Sequence, residues 1–358
     1  MPSMFDNEMD KHRLYMNRCI ELATLGSGTT APNPMVGCVI VRNGKIIGEG
    51  YHIQHGGPHA EVNAINSVRD KEWLKESTLY VSLEPCAHYG KTPPCSDLII
   101  RMGIPRVVIG TSDPFAEVSG RGIEKLKKSG VDVLTGLLGA ECRWLNRRFF
   151  TFHEKKRPYV ILKWAQSADG FMAPDKNRKE RQPVWITNEL SRQFVHKCRS
   201  EEASILVGTQ TAIEDNPTLT VRDWAGQSPL RLVIDRKGMI PENSHLLDGS
   251  KETVVFTEKD GASKNLITYI TLDFKLNILP HILQYLYQRE ILSVYIEGGA
   301  KTLEHFIEQG IWDEAHLFFG PGFMGSGVRS PEISGIVMSN EVFDDDRLIV
   351  LLNGSLNH

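Results

Sequence analysis

Two short stretches constrain this chain more than any others: His59-Ala60-Glu61 and, downstream, Pro85-Cys86 followed by Pro93-Pro94-Cys95. One imidazole, two thiols and a carboxylate not needed as a ligand are the parts of a catalytic zinc site, where three protein ligands leave one coordination position open. Two thiolates offset the charge of Zn²⁺, His59 adds a neutral donor, and the metal then brings the pKa of a water molecule toward neutrality. Glu61 is placed to carry that proton to a leaving nitrogen. The combination predicts a hydrolytic deaminase centre, and any fold must bring residue 59 and two turns near 86 and 95 to one point.

Each part alone says less. His-x-Glu occurs by chance, usually as a helix start with a solvated carboxylate, and His52, His55 and His88 are rival ligands. A structural zinc would close its shell with four protein ligands, where this chain offers three good candidates. Zinc nucleobase deaminases carry His-x-Glu followed by Pro-Cys-x-x-Cys, whereas here eight residues separate Cys86 from Cys95. That inserted loop holds His88 and Lys91, a donor and a cation suited to a phosphorylated or polyhydroxy group.

A length of 358 residues implies two domains, each able to bury a core. The net charge of −3 carries none of the basic excess needed against a phosphate backbone, so no nucleic-acid partner is expected. Met1 to Lys11 is polar and acidic, and no apolar run reaches membrane-span length, which predicts a cytoplasmic protein with no membrane partner. Six scattered cysteines in so long a chain read as reduced thiols. Cys19 and Cys38 sit in a helical and a strand pattern as small buried apolar residues, and Cys142 and Cys198 receive no role.

The chain opens with a helix in which Met16, Cys19, Ile20 and Ala23 share a face, stopped at Gly26. Val36 to Val41 and Lys45 to Glu49 form a hairpin across Asn43-Gly44. Gly56-Gly57-Pro58 precedes a helix whose first turn includes His59 and Glu61. Thr78 to Leu83 is a strand, and helix starts near Cys86 and Cys95 leave backbone donors for a thiolate. Ser96 to Met102 and Gly122 to Ser129 read as helices, Arg106 to Gly110 and Val131 to Leu134 as strands. This alternation predicts a layered α/β domain.

Around Phe152-His153-Glu154-Lys155-Lys156-Arg157-Pro158 the apolar repeat lapses into a charged run, read as a solvated linker, with domains at 1–152 and 153–358. Beyond it a second α/β domain is predicted. Its strands are Tyr159 to Ala165, Ser204 to Gly208, Leu230 to Asp235, Thr253 to Thr257, Ser293 to Glu297, Ala315 to Gly320 and Arg347 to Leu352; its helices are Glu189 to Arg199, Leu279 to Arg289 and Ala300 to Gln309. Glu297-Gly298-Gly299-Ala300-Lys301 follows a strand and opens a helix, a geometry suited to a phosphate. It lacks the glycine spacing of a dinucleotide fingerprint, and a plain strand-to-helix turn explains it equally well. Asp215-Asn216-Pro217 by itself says only turn.

Over nearly its whole length the chain resembles the bifunctional riboflavin-biosynthesis deaminase/reductases. The resemblance rests on Pro32-Asn33-Pro34-Met35-Val36-Gly37-Cys38, His59-Ala60-Glu61-Val62, Leu83-Glu84-Pro85-Cys86 and Thr92-Pro93-Pro94-Cys95. In the second half it rests on Leu162-Lys163, Ser167-Ala168-Asp169-Gly170, Trp185-Ile186-Thr187, Asp215 to Arg222 and Glu297-Gly298-Gly299. The long loop between the cysteines is typical of that family. The resemblance implies a cytidine-deaminase-like three-layer α/β/α domain followed by a dihydrofolate-reductase-like α/β domain. It also implies zinc, NADPH, small phosphorylated pyrimidine substrates and a homo-oligomer, dimer or tetramer.

The implied reactions are deamination of 2,5-diamino-6-(5-phosphoribosylamino)pyrimidin-4-one and NADPH reduction of the resulting ribosylaminouracil. Asn33, His52, His88, Lys91 and Asp113 match substrate positions of the first step. Arg199, Leu219, Arg222 and Glu297 match those of the second, with Lys163 at the reacting sugar and Asp215 a catalytic or cofactor ligand. Gln166, Trp185, Thr211, Asp215, Gly298, Gly299, Ala300, Lys301, Thr302 and Leu303 match cofactor positions, and Arg236 is the local candidate for the extra phosphate of NADPH. Two departures stand out: Asp113-Pro114-Phe115-Ala116 puts Phe115 where the family has a polar residue, and Pro183 stands where the family often has a short one. Two other classes share some of these features. A nucleic-acid or nucleoside deaminase with an accessory nucleotide-binding domain would need a basic, aromatic-lined groove, and a zinc-stabilised binding protein would show no turnover.

Overall fold

The computed structural model describes residues 4–89, 93–115, 119–175 and 185–354. Lys91 and Pro183 lie outside these residues. The chain forms two compact units, Met1–Lys156 and Arg157–His358.

The first unit runs α1 (Met4–Thr24), β1 (Gly37–Arg42), β2 (Lys45–Tyr51), α2 (Ala60–Ser67), β3 (Thr78–Leu83), α3 (Cys95–Arg101), β4 (Arg106–Thr111), α4 (Arg121–Lys128), β5 (Asp132–Thr135), α5 (Gly139–Leu145) and α6 (Arg147–Lys155). The sheet order is β2-β1-β3-β4-β5. The first three strands are antiparallel, joined at β1 and β2 by the Asn43-Gly44 turn with both residues at positive φ, and β3, β4 and β5 are parallel. Alternation along the strands sorts side chains to two faces. Cys38, Ile40, Val81 and Ile109 pack with Ala64, Ile65, Ile99 and Leu126 from α2, α3 and α4. Val39, Tyr80 and Val108 turn the other way, onto Met16 and Cys19 of α1 and Cys142 of α5. The unit is therefore a three-layer α/β/α sandwich. α2, which follows His59, lies unusually close to the sheet, because a Cβ on Gly50 of β2 would come within 2.3 Å of the Ala64 nitrogen.

The expected linker needs correction. Phe152–Lys155 complete α6, in which Phe149, Phe150 and Phe152 are buried, and the helix ends at Lys156 with φ 54°. The charges lie on the outer side of an amphipathic helix, and a helix of nine residues is too short to show a clear repeat in the sequence.

The second unit runs β6 (Tyr159–Gln166), β7 (Phe171–Pro174), α7 (Glu189–Glu201), β8 (Ser204–Gly208), α8 (Thr209–Glu214), β9 (Leu230–Ile234), β10 (Thr253–Thr257), β11 (Ile267–Thr271), α9 (Leu279–Gln288), β12 (Ser293–Ile296), α10 (Ala300–Glu308), β13 (Glu314–Phe319), β14 (Gly327–Arg329), β15 (Ile336–Phe343) and β16 (Asp346–Leu352). Nine strands form one sheet in the order β11-β10-β9-β8-β12-β6-β13-β16-β15. Seven are parallel, and β16 and β15 close the edge antiparallel. The central strands are apolar on both faces, as helices on each side require. Val160, Leu162, Val294 and Ile296 face Leu283 of α9 and Phe306 of α10, while Tyr159, Ile161 and Tyr295 face Cys198 of α7. On the α7 face this apolar pattern gives way to Lys163 and Glu297, near the carboxyl ends of β6 and β12. Among the described residues no helix is long and apolar enough to cross a membrane.

Candidate active sites

In the first unit His59 is the N-cap of α2, one residue before the helical turn it was expected to occupy, and Glu61 lies inside that turn. Cys95 opens α3. Its N–H donates to Cys86 Sγ at 3.3 Å, while the Ser96 N–H and hydroxyl both donate to the Cys86 carbonyl, at 3.2 and 3.0 Å. The start of α3 thus grips Cys86 by sulfur and backbone together. His59 Nδ1 lies 3.6 Å from Cys86 Sγ and 3.4 Å from Cys95 Sγ. A tetrahedral zinc with bonds near 2.0 and 2.3 Å has nitrogen-to-sulfur edges of about 3.5 Å, so both distances from His59 fit the metal, and all three ligand atoms lie within 4.8 Å of one another. Among the described residues they form the one cluster suited to a metal.

The electrostatics agree with a ligand set. The hydrogen bond from the Cys95 thiol, helped by His59, draws Cys86 down to about 4 against the opposing effect of burial. Burial raises Glu61, which is 3% exposed, so it holds a proton more readily than an ordinary carboxylate. His52 donates from Nδ1 to the Pro58 carbonyl at 3.0 Å and accepts from Asn33 Nδ2 at 3.1 Å; burial keeps it neutral, consistent with that tautomer. Its ring meets His59 edge-on at 5.6 Å, so Asn33, His52 and the ligand are contiguous. Of the rival ligands, His52 has both nitrogens engaged, and His55 and His88 are exposed. Asp113 is raised to about 6 by burial and accepts from the Phe115 N–H at 2.8 Å. The Phe115 ring packs on His153 at 5.2 Å, so position 115 presents an aromatic face instead of a polar group.

Glu84 escaped the sequence reading. Its carboxylate accepts from the backbone N–H groups of Asp113, Gly120, Gly122 and Ile123, at 3.3, 3.0, 2.9 and 3.2 Å. It ties the Cys86 turn to Asp113 and to the start of α4. Only its place before Pro85-Cys86 hinted at this.

In the second unit Glu297, just beyond β12, meets Arg199 of α7 in a two-pronged pair at 2.6 and 2.8 Å, and Lys163 of β6 at 3.4 Å. Burial pushes the Glu297 carboxylate up, but Arg199 and Lys163 outweigh it and hold it at about 2. Arg199 also donates to the Thr220 carbonyl at 3.2 Å. Asp215, exposed at the C-terminal cap of α8, is raised by desolvation and by the neighbouring Glu214, with Lys163 opposing. Asn216 and Leu219 both have positive φ, 40° and 53°, a conformation costly for a buried leucine. Arg222 is exposed, and its guanidinium donates to Thr218 Oγ1.

The glycine turn sits in close backbone contact: a Cβ on Gly298 would come within 2.6 Å of the Gly208 nitrogen, and the Gly299 N–H donates to Thr211 Oγ1 at 2.8 Å. α10 starts there without a side-chain cap, so the N–H groups of Ala300 and Lys301 suit an anion such as a cofactor phosphate, and Thr302 lines the same turn beside Gly208. The other expected cofactor residues have partners of their own. Gln166 accepts from the Trp164 indole, Trp185 is exposed with Arg192 over its ring at 4.6 Å, and Leu303 turns into the core. Arg236 pairs with Glu258 at 2.8 Å, so its charge is already engaged.

Comparison with known proteins covers both units. Residues 9–111 match the cytidine and deoxycytidylate deaminase zinc-binding region, and 158–344 match the RibD C-terminal domain. Riboflavin biosynthesis protein RibD of Aquifex aeolicus is 41% identical over 90% of this chain and 89% of its own, and that of Bacillus amyloliquefaciens 42% identical over 90% and 87%. This chain belongs to the RibD family. A Thermotoga maritima RibD-family structure, described as a diaminohydroxyphosphoribosylaminopyrimidine deaminase/5-amino-6-(5-phosphoribosylamino)uracil reductase, superposes with TM-score 0.87 at 38% identity, covering 96% of this chain and 99% of that one. Acinetobacter baumannii RibD superposes at 0.86 with 30% identity over the same shares. As a RibD-family member the chain is a bifunctional enzyme of riboflavin biosynthesis, with a zinc-binding deaminase half and an NADPH-dependent reductase half. A nucleic-acid deaminase with an accessory domain is not favoured, because the relatives match across both units.

Proposed function

We propose that the first unit removes an amino group from 2,5-diamino-6-(5-phosphoribosylamino)pyrimidin-4-one, and that the second reduces the ribosyl group of the deaminated product to ribityl. The functional boundary falls between residues 152 and 157. The observation that carries this reading is one chain holding both the His59–Cys86–Cys95 group beside a buried Glu61 and the Lys163–Glu297–Arg199 cluster.

In the first step His59, Cys86 and Cys95 hold zinc, whose contribution is Lewis-acid activation of water near neutral pH. Glu61 takes up the proton and hands it to the departing amino nitrogen, a task its raised pKa suits. Asn33 and His52 orient the pyrimidine beside the metal ligand, Asp113 contributes a second carboxyl, and His88 and Lys91 take the phosphorylated arm. In the second step NADPH supplies the hydride. Lys163, Asp215 and Glu297 hold the sugar, and Arg199, Leu219 and Arg222 complete the substrate's surroundings. Thr211, Gly298, Gly299, Ala300, Lys301 and Thr302 cradle the cofactor, with Gln166, Trp185, Leu303 and Arg236 near it by family position.

Six free cysteines suit the cytoplasm, and neither nucleic acid nor membrane enters this reading. A homo-oligomer is supported by β15, an edge strand exposing Ile336, Val337, Met338 and Val342. The test is a metal analysis joined to a two-stage assay. The expected result is about one zinc per chain, ammonia released from the pyrimidine, and NADPH oxidised only after that release. NADPH oxidation that needs no deamination, or zinc-loaded protein releasing no ammonia, contradicts it.

A further inference from the structure

Arg231 is the second residue of β9, with 1% of its surface exposed, between Leu230 and Leu232 in a strand that otherwise packs apolar residues into the core. A buried guanidinium is costly unless every donor is met. Here all five are. Nε donates to Thr253 Oγ1 at 2.9 Å; Nη1 to the carbonyls of His245 at 2.8 Å and Thr218 at 3.5 Å; Nη2 to the Lys251 carbonyl at 2.9 Å and to Asp248 Oδ1 at 3.4 Å.

One of these contacts reaches the segment 215–222 directly and a second reaches it through His245. Thr218 belongs to it, and the backbone of His245 holds it a second time, because the His245 N–H donates to Asn216 Oδ1 at 2.9 Å. This is the segment with two non-glycine residues at positive φ, a conformation that persists only when its surroundings impose it. It begins at Asp215 and ends at Arg222, and between them the Thr220 carbonyl accepts from Arg199, the partner of Glu297. The contacts therefore run without a break from buried Arg231 through Thr218 and Thr220 to the Glu297 cluster.

We propose that Arg231 is a positioning residue for the reductase site: it fixes segment 215–222 in its strained form from behind, so that Asp215, Arg199 and Arg222 are set before substrate arrives. The proposal rests on the reductase reading of the second unit. A lysine keeps the charge but has three donors and no fork, so it cannot reproduce the arrangement.

The experiment compares full-length wild type, Arg231→Lys, Arg231→Met and Asn216→Ala, with ammonia release as the internal measure of intact enzyme. In both Arg231 variants the KM for the deaminated ribosyl substrate rises about tenfold or more, with kcat changing about threefold or less. Amide hydrogen exchange in 215–222 quickens in parallel, while ammonia release is unchanged. Asn216→Ala, which cuts the exposed tether to His245 and puts an alanine at a positive φ, moves the same readouts in the same direction by about threefold or more. Folded Arg231 variants with wild-type KM and unchanged exchange in this segment overturn the proposal. Should those variants not fold, a wild-type KM and unchanged exchange in Asn216→Ala overturn it. Wild type that oxidises no NADPH refutes the reductase reading instead, and the exchange comparison still decides what Arg231 does.

Discussion

The two units build their sites by opposite means. In the first, a metal dictates the residue types, and three ligands come from the starts of two helices and one turn, all within 37 residues of sequence from His59 to Cys95. In the second, charge is assembled by topology: Lys163 and Glu297 are 134 residues apart and meet because β6 and β12 are parallel neighbours. The difference teaches where each site is vulnerable. Zinc chemistry concentrates function in a few atoms, while the proposed reductase site rests on three buried charges, Lys163, Arg199 and Glu297, whose cost must be met together.

Chelating zinc or substituting Cys86→Ser should have the largest effect, lowering ammonia release by at least about 10³-fold, the worth of several kcal/mol of Lewis-acid activation. NADPH oxidation of supplied deaminated substrate should stay near wild type, and a parallel loss there would break the contrast between the units. Glu297→Gln should do the reverse. It leaves Arg199 and Lys163 buried without their carboxylate, which costs about 3–5 kcal/mol, read as a fall in the second unit's unfolding midpoint together with loss of NADPH oxidation. Ammonia release should survive below that midpoint.

Glu84→Ala comes next. Four backbone N–H groups lose their acceptor, at about 1–3 kcal/mol, and zinc affinity in a chelator competition should drop about 10- to 100-fold, as for other groups that orient ligands. The smallest effect is a difference in sign with pH. Glu297 lies below the usual carboxylate range, so its stabilisation is complete above about pH 4.3 and fades as pH falls toward its folded value of about 2. Asp113 lies above that range at about 6, so it weakens the first unit at neutral pH and ceases to do so as pH falls from there toward about 4. Unfolding curves at several pH values between neutrality and strong acid, resolved for the two units, should show these opposite contributions; parallel curves would argue against them.

What the sequence revealed depended on how local each pattern is. His59, Cys86 and Cys95 were legible because a metal admits few residue types and the prolines ahead of both cysteines mark the turns that present them. The Asn43-Gly44 hairpin and the parallel strands were legible because their patterns are local. Glu84 was not, since a glutamate before a proline looks ordinary until Asp113 and residues 120–123 bring their N–H groups onto it. Arg231 was hidden in the same way, its acceptors lying in the loops before and after its strand and at the start of β10. α6 was lost behind its charges. β15 is exposed on both faces, so its residues never alternate.

The central claim is that one chain carries two separable chemistries, and Glu61→Gln tests it most directly. The substitution keeps the side chain's shape but removes its ability to move a proton. Zinc content should be unchanged and ammonia release should fall about 10²- to 10⁴-fold, while NADPH oxidation on supplied deaminated substrate proceeds at the wild-type rate. Ammonia release that is untouched by the substitution would contradict the account.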